Sequence, residues 1–148
     1  MTKKCNSVSI GNSGEYFVAA ELERRGYTAA VPMSNTKDFD ILAINRTTYK
    51  QVAIQVKTTQ YKQKKWMLNQ KCEQLIGKNI KYILVSLNEL EQPEYHIVPS
   101  EYLAETVYKT HREWLNTPGT KGQQHNDNPA RVFSDTNDMF LNRWDLLE

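Results

Sequence analysis

The chain has 148 residues and a formal charge of +2, a length that suits one domain able to bury most of its apolar surface without staples. Cys5 and Cys72 fit neither a disulfide framework nor a zinc ribbon, which favours a reducing compartment. The start, M-T-K-K-C-N-S-V-S-I, holds no run of signal-peptide length and no segment approaches a membrane span, so a cytoplasmic protein without membrane contact is expected.

In chain order, Asn12 or Ser13 followed by Glu15 predicts a helix start, and Gly26 after Arg24 and Arg25 its stop. Glu15, Val18, Ala19 and Leu22 fall at i, i+3, i+4 and i+7, a stripe expected to face a sheet and to bring the Glu15 carboxylate to the inner edge of the helix. Glu15 also has a capping reading: with Asn12 as N-cap it takes the third helical position of a capping box. Tyr27 to Val31 reads as a strand stopped by Pro32, and Met33 to Lys37 as loop.

The stretch from Lys37 to Thr59 carries most of the information. Asp40 to Ile44 and Gln51 to Lys57 are rich in β-branched residues and Asn45 to Lys50 are not, so the segment predicts a hairpin. In its second strand Val52, Ile54 and Val56 share one face, and Ala53, Gln55 and Lys57 the other. Folding back in register brings Asp40 to the end of that second strand, where it meets the polar pair.

Lys65 to Leu68 follows as a short strand and Asn69 to Ile76 as a short helix ending near Gly77. Tyr82 to Leu87, Y-I-L-V-S-L, is the apolar run of a strand covered on both faces. A polar turn over Asn88 to Glu94, a strand from Tyr95 to Val98 and a helix from about Glu101 to Leu115 come next. The segment from about 116 to 137 reads as a long polar loop, in which Lys121 and Arg131 are positioned to meet phosphate. His111 and His125 are conceivable metal ligands, but lack a second histidine at useful spacing. Phe140, Trp144 and Leu147 predict a docking helix over 139 to 147. The pattern is a mixed α/β domain spanning the chain.

Charge is polarised along the sequence. Eight lysines lie between Lys50 and Lys81 against the single acid Glu73, whereas six glutamates lie between Glu89 and Glu113. The basic segment, with Lys62, Lys64, Lys65 and the aromatic Tyr61 and Trp66, suits a phosphate backbone with a stacked base. Its plainer reading is a solvated, solubilising face.

Phosphodiester hydrolysis needs an activated water and charge stabilisation at the phosphate, both of which a hard divalent ion supplies. Asp40 offers a carboxylate for Mg²⁺ or Mn²⁺ and Gln55 a neutral oxygen, while Glu15 could hold a second ion or its waters. Lys57 provides a cation for the nucleophile or the developing charge. The order of Glu15 in G-N-S-G-E, R-R-G-Y at the helix end, then Asp40, then I-Q-V-K-T-T around Gln55 and Lys57, resembles the PD-(D/E)xK nuclease superfamily, and the ending, with W-L-N-T-P-G and R-W-D-L-L, is similar to small bacterial members. The resemblance implies a restriction-endonuclease-like three-layer fold, a central mixed β-sheet flanked by helices. It also implies metal-dependent cleavage of nucleic acid, most often DNA. It assigns the metal-binding aspartate to Asp40 rather than Asp38, the second carboxylate position to Gln55, the lysine to Lys57 and the helix glutamate to Glu15. Gln55 departs from the usual Glu or Asp, so a fold-retaining nucleic-acid-binding or interaction module without turnover is the alternative. Cutting both strands would favour a homodimer.

Overall fold

The computed structural model describes residues 5–32 and 39–148. Asp38 and the predicted loop from Met33 to Lys37 lie outside them. The helix α1 spans Ser7–Arg24, and the strands are β1 (Tyr27–Ala30), β2 (Ile41–Asn45), β3 (Gln51–Thr59), β4 (Lys65–Asn69), β5 (Ile80–Ser86), β6 (Glu94–Pro99) and β7 (Ala130–Ser134), with helix α2 over Ser100–Asn116. β1-β2-β3-β5-β6 form one mixed sheet, in which β3 and β5 are parallel and the other neighbours antiparallel. β4 and β7 form a separate antiparallel ribbon.

β3 divides the molecule. Its Val52, Ile54 and Val56 join Val18 and Leu22 of α1, Ile83 and Val85 of β5, and Trp144 and Leu147 from the chain's end in one apolar cluster. Beyond the other face, Tyr82 and Leu84 pack with Trp66 and Leu68 of the ribbon, Leu103 and Val107 of α2, and Phe133 and Phe140. The sheet is therefore a middle layer between α1 and the ribbon with α2. Every β5 residue from Tyr82 to Ser86 is buried, which is why this strand reads as an unbroken apolar run.

The predicted hairpin forms as β2 and β3, with Ile41 opposite Ile54 and Ile44 opposite Gln51. Its turn is set by Asn45, whose side-chain oxygen accepts from the amides of Thr47 (2.9 Å) and Thr48 (3.1 Å), an Asx-type arrangement. Arg46 then reaches back to the carbonyls of Glu23 and Tyr27 and to the Glu23 carboxylate. This supplies a cation and donors where the last helical carbonyls of α1 need them. Gly26, at φ +94°, lets the chain leave the helix in a conformation that side chains resist.

Several predicted boundaries move. α1 begins at Ser7 because Asn6 takes the cap, accepting from the Ser9 amide at 2.8 Å. The capping-box reading of Glu15 therefore falls, since that residue sits well inside the helix. The short helix after β4 is a 3-10 turn over Gln70–Glu73. The long polar loop contains β7, and the expected terminal helix is a 3-10 turn over Trp144–Leu147, whose side chains still dock in the core. His96 and Asp135 hold that terminal segment: the His96 ring nitrogen lies 2.7 Å from the Asp135 carboxylate, which also accepts from the amides of Met139 and Phe140.

The tightest layer contact is at Gly14. A methyl group there would lie 1.8 Å from the hydroxyl oxygen of Thr58 on β3, so α1 can cross β3 at this height only without a side chain. Gly14→Ala is expected to lower stability by about 1–3 kcal/mol through overpacking, with part of the loss recovered by Thr58→Ala, as read by thermal or urea denaturation. Trp66→Ala is expected to cost about 3–5 kcal/mol in the same measurement, because Trp66 is 2% exposed and its indole donates to the Val85 carbonyl at 3.0 Å.

Candidate active site

β3 continues past the start of β2, where the register ends at Ile41 opposite Ile54. Asp40 occupies that junction. Its amide donates to the Ile54 carbonyl (2.8 Å), and its carboxylate accepts from the Val56 amide (2.8 Å). One carboxylate oxygen is thus fixed to the backbone between Gln55 and Lys57, while the other remains for further partners. Gln55 and Lys57 are half-buried on the face opposite Val56, at the level of Tyr82 and Leu84 of β5.

Glu15 enters from α1, one residue after the close approach of Gly14 to Thr58. It is half-buried, and burial pushes its carboxyl above the ordinary value. The Asp40 carboxylate raises it further and Lys57 works in the opposite sense. The Glu15 carboxyl therefore feels both the Asp40 carboxylate and the Lys57 ammonium. Asp40 is tied to β3 between Gln55 and Lys57, which lie two residues apart on one strand face, and Glu15 responds electrostatically to Asp40 and Lys57.

Among the described residues, no three His, Cys, Asp or Glu side chains form a metal-holding group. The local donors are two carboxylates and the Gln55 amide oxygen. Two carboxylates, of which Glu15 is raised by burial and by the Asp40 carboxylate, together with a hard neutral oxygen, are a donor set that fits a hard divalent cation.

Other expected site residues are placed differently. Trp66 is a core residue and cannot offer its ring to a base. Lys64 is paired with Asp138, which leaves Lys62 and Lys65 as the exposed cations of that trio. Arg131 points inward and pairs with Glu73 while donating to the carbonyls of Asn128 and Ala130; it does not reach out to phosphate. His111 lies on α2, 2.8 Å from the Asp127 carboxylate, and both it and His125 stack on Trp114. Lys121 remains exposed.

Sequence reasoning gave Trp66 the wrong face although the signal was present. In β4, Trp66 and Leu68 alternate with Lys65 and Met67, and the period of two puts the aromatic ring with the leucine. It also passed over His96, which is fully buried beside Trp66 with ring centroids 5.0 Å apart; a lone histidine in a short strand carries no spacing signal.

No family model matches this sequence, and no curated protein matches it. Solved structures do match. A bacterial homing endonuclease, I-Ssp6803I, superposes with a TM-score of 0.56 at 10% identity, covering 97% of this chain and 92% of that one. Hjc, a Holliday junction resolvase from Archaeoglobus fulgidus, superposes with a TM-score of 0.50 at 15% identity, covering 84% of each chain. At these identities the likeness is one of fold, and it extends over nearly the whole chain. With a mixed sheet between α1 on one side and α2 on the other, and a hairpin carrying Asp40, Gln55 and Lys57 at its centre, the chain has a restriction-endonuclease-like fold.

Proposed function

We propose that this protein is a metal-dependent nuclease that hydrolyses phosphodiester bonds of nucleic acid, DNA in the first instance, with Asp40, Gln55, Lys57 and Glu15 as its working residues. The observation that supports the reading is the Asp40 carboxylate held by the Val56 amide between Gln55 and Lys57, with Glu15 electrostatically coupled to it, on a fold also found in a homing endonuclease and a junction resolvase.

Asp40, with one oxygen tied to the Val56 amide, is held in a single orientation and presents its second oxygen as a ligand without reorganisation. Gln55 and Glu15 would complete the protein's share of a Mg²⁺ or Mn²⁺ site, which leaves room for water and phosphate oxygens. When bound, such a cation supplies charge neutralisation at the scissile phosphate and acidifies water. Lys57 contributes an ammonium that orients the attacking water and stabilises the charge developing on phosphate. Without a cation, Glu15 and Asp40 repel phosphate, so the ion also permits substrate approach. No described helix is long and apolar enough to cross a membrane.

The alternative reading, a nucleic-acid-binding module without turnover, is favoured by one residue: Gln55 brings no charge where a carboxylate would strengthen cation binding. Cleavage of plasmid, single-stranded DNA and RNA in Mg²⁺ or Mn²⁺ separates the two. Asp40→Ala and Lys57→Ala are each expected to lower the rate by about 10²–10³-fold, and unchanged cleavage in both variants would remove the nuclease reading. Salt-dependent binding with neither metal affinity nor cleavage would support the module. Gln55→Glu is expected to tighten Mn²⁺ binding in a calorimetric titration, since a carboxylate replaces a neutral oxygen.

The raised carboxyl of Glu15 makes a further prediction for the metal-free protein. A carboxyl raised on folding contributes stability that is complete below its unfolded pKa and is lost as pH rises through the folded value. Ionised Glu15 therefore costs stability at neutral pH. In EDTA, Glu15→Gln is expected to raise Tm at pH 7, with the gain vanishing in acid. Mg²⁺ is expected to reverse the order by stabilising the wild type more than the variant.

A further inference from the structure

The polar face of β3 does not end at the carboxylates. Gln55 and Lys57 also line a cleft of about 760 Å³, whose other wall comes from Asn69, Lys71 and Gln74 on and beside the 3-10 turn that follows β4. We propose that this cleft seats one strand of the nucleic-acid substrate, with Lys71 binding a phosphate that neighbours the scissile one and Gln74 contacting the adjoining nucleotide. The assignment rests on the nuclease reading above and extends it to how the substrate strand is held.

Three observations carry it. The first is continuity: Gln55 and Lys57 belong to both the catalytic cluster and the cleft, so a strand whose phosphate lies at Lys57 has this cleft as its adjoining path. The second is charge. The turn Gln70–Glu73 contains one base and one acid, but Glu73 is held by the inward-pointing Arg131. Lys71 is exposed and forms no ion pair among the described residues, so Lys57 and Lys71 leave the cleft walls cationic. Burial pushes the Cys72 thiol up to about 11, which keeps that lining group neutral.

The third is rigidity. The Asn69 side chain accepts from the Lys71 amide at 3.1 Å, and the Lys71 carbonyl accepts from the amides of Gln74 (3.1 Å) and Leu75 (3.2 Å). Cys72 is buried, and Ser100 both donates to the Gly77 carbonyl and accepts from its amide. Lys71 and Gln74 therefore project from a backbone that is already ordered, which reduces the entropy lost on binding. The exposed Lys62 and Lys65 lie towards the opposite end of β4, and neither lines this cleft.

The test uses the full chain with labelled single-stranded and duplex DNA oligonucleotides. Binding is measured by fluorescence anisotropy in Ca²⁺ across a salt series, and cleavage in Mg²⁺. Lys71→Ala is expected to raise KM about ten-fold with kcat nearly unchanged and to reduce the slope of log K against log salt by about one. Lys71→Arg should restore most of both, and Tm should not move because the side chain is exposed. Gln74→Ala should alter the preference for the nucleotide beside the cut. If the wild type binds and cleaves but Lys71→Ala matches it in KM and salt slope, the cleft assignment is wrong and the nuclease reading stands. If the wild type neither binds nor cleaves any of the oligonucleotides, both are wrong.

Discussion

The hydrogen bond from the Val56 amide to the Asp40 carboxylate is the constraint on which the site depends. It falls just outside β2, where β3 runs on past the last paired residues Ile41 and Ile54, so the amide would otherwise lie at the end of a ladder without its strand partner. By accepting it, Asp40 acquires a fixed orientation between Gln55 and Lys57, and the hairpin acquires a defined end. A charged acceptor on a backbone amide is among the stronger hydrogen bonds available. The same contact thus serves the register of the sheet and the aim of the carboxylate.

Glu15 depends on a different constraint, the absence of a side chain at Gly14. Glycine inside a helix costs about 0.5–1 kcal/mol relative to alanine, and here that cost permits α1 to lie against Thr58. The next residue is then half-buried, where burial and the Asp40 carboxylate raise the Glu15 carboxyl above its ordinary value. A helix packed for stability alone would carry an uncharged residue after this glycine, since the half-buried carboxylate is disfavoured there. The sequence G-E at this crossing is explained by close approach followed by charge.

The hairpin was legible because its information is local: β-branched runs, a polar turn with Asn45 at its start, and a strict alternation that separates Val52, Ile54 and Val56 from Gln55 and Lys57. The helix start was obscured because Asn12 and Ser13 resemble caps as well as Asn6 does, and it is the Asn6 side chain that accepts from the Ser9 amide. β7 was hidden because its partner β4 lies about sixty residues earlier and its inward residue Arg131 is charged, a pattern that makes sense only once Glu73 is opposite it. The basic run misled for a related reason: lysines mark a face as exposed, but Trp66 within the run belongs to the other face. What escaped the sequence was long-range pairing, and with it the cleft wall at Lys71, which forms only when the ribbon settles over β3.

The proposed function stands or falls on whether Asp40, Gln55 and Glu15 hold one divalent cation beside Lys57. Anomalous diffraction from a crystal soaked in Mn²⁺ tests it most directly. A peak within ligand distance, about 2.0–2.3 Å, of an Asp40 carboxylate oxygen and the Gln55 amide oxygen, with Glu15 bound directly or through water, is the predicted result. No peak at that position, with the Lys57 ammonium resting directly on the Asp40 carboxylate, would contradict it.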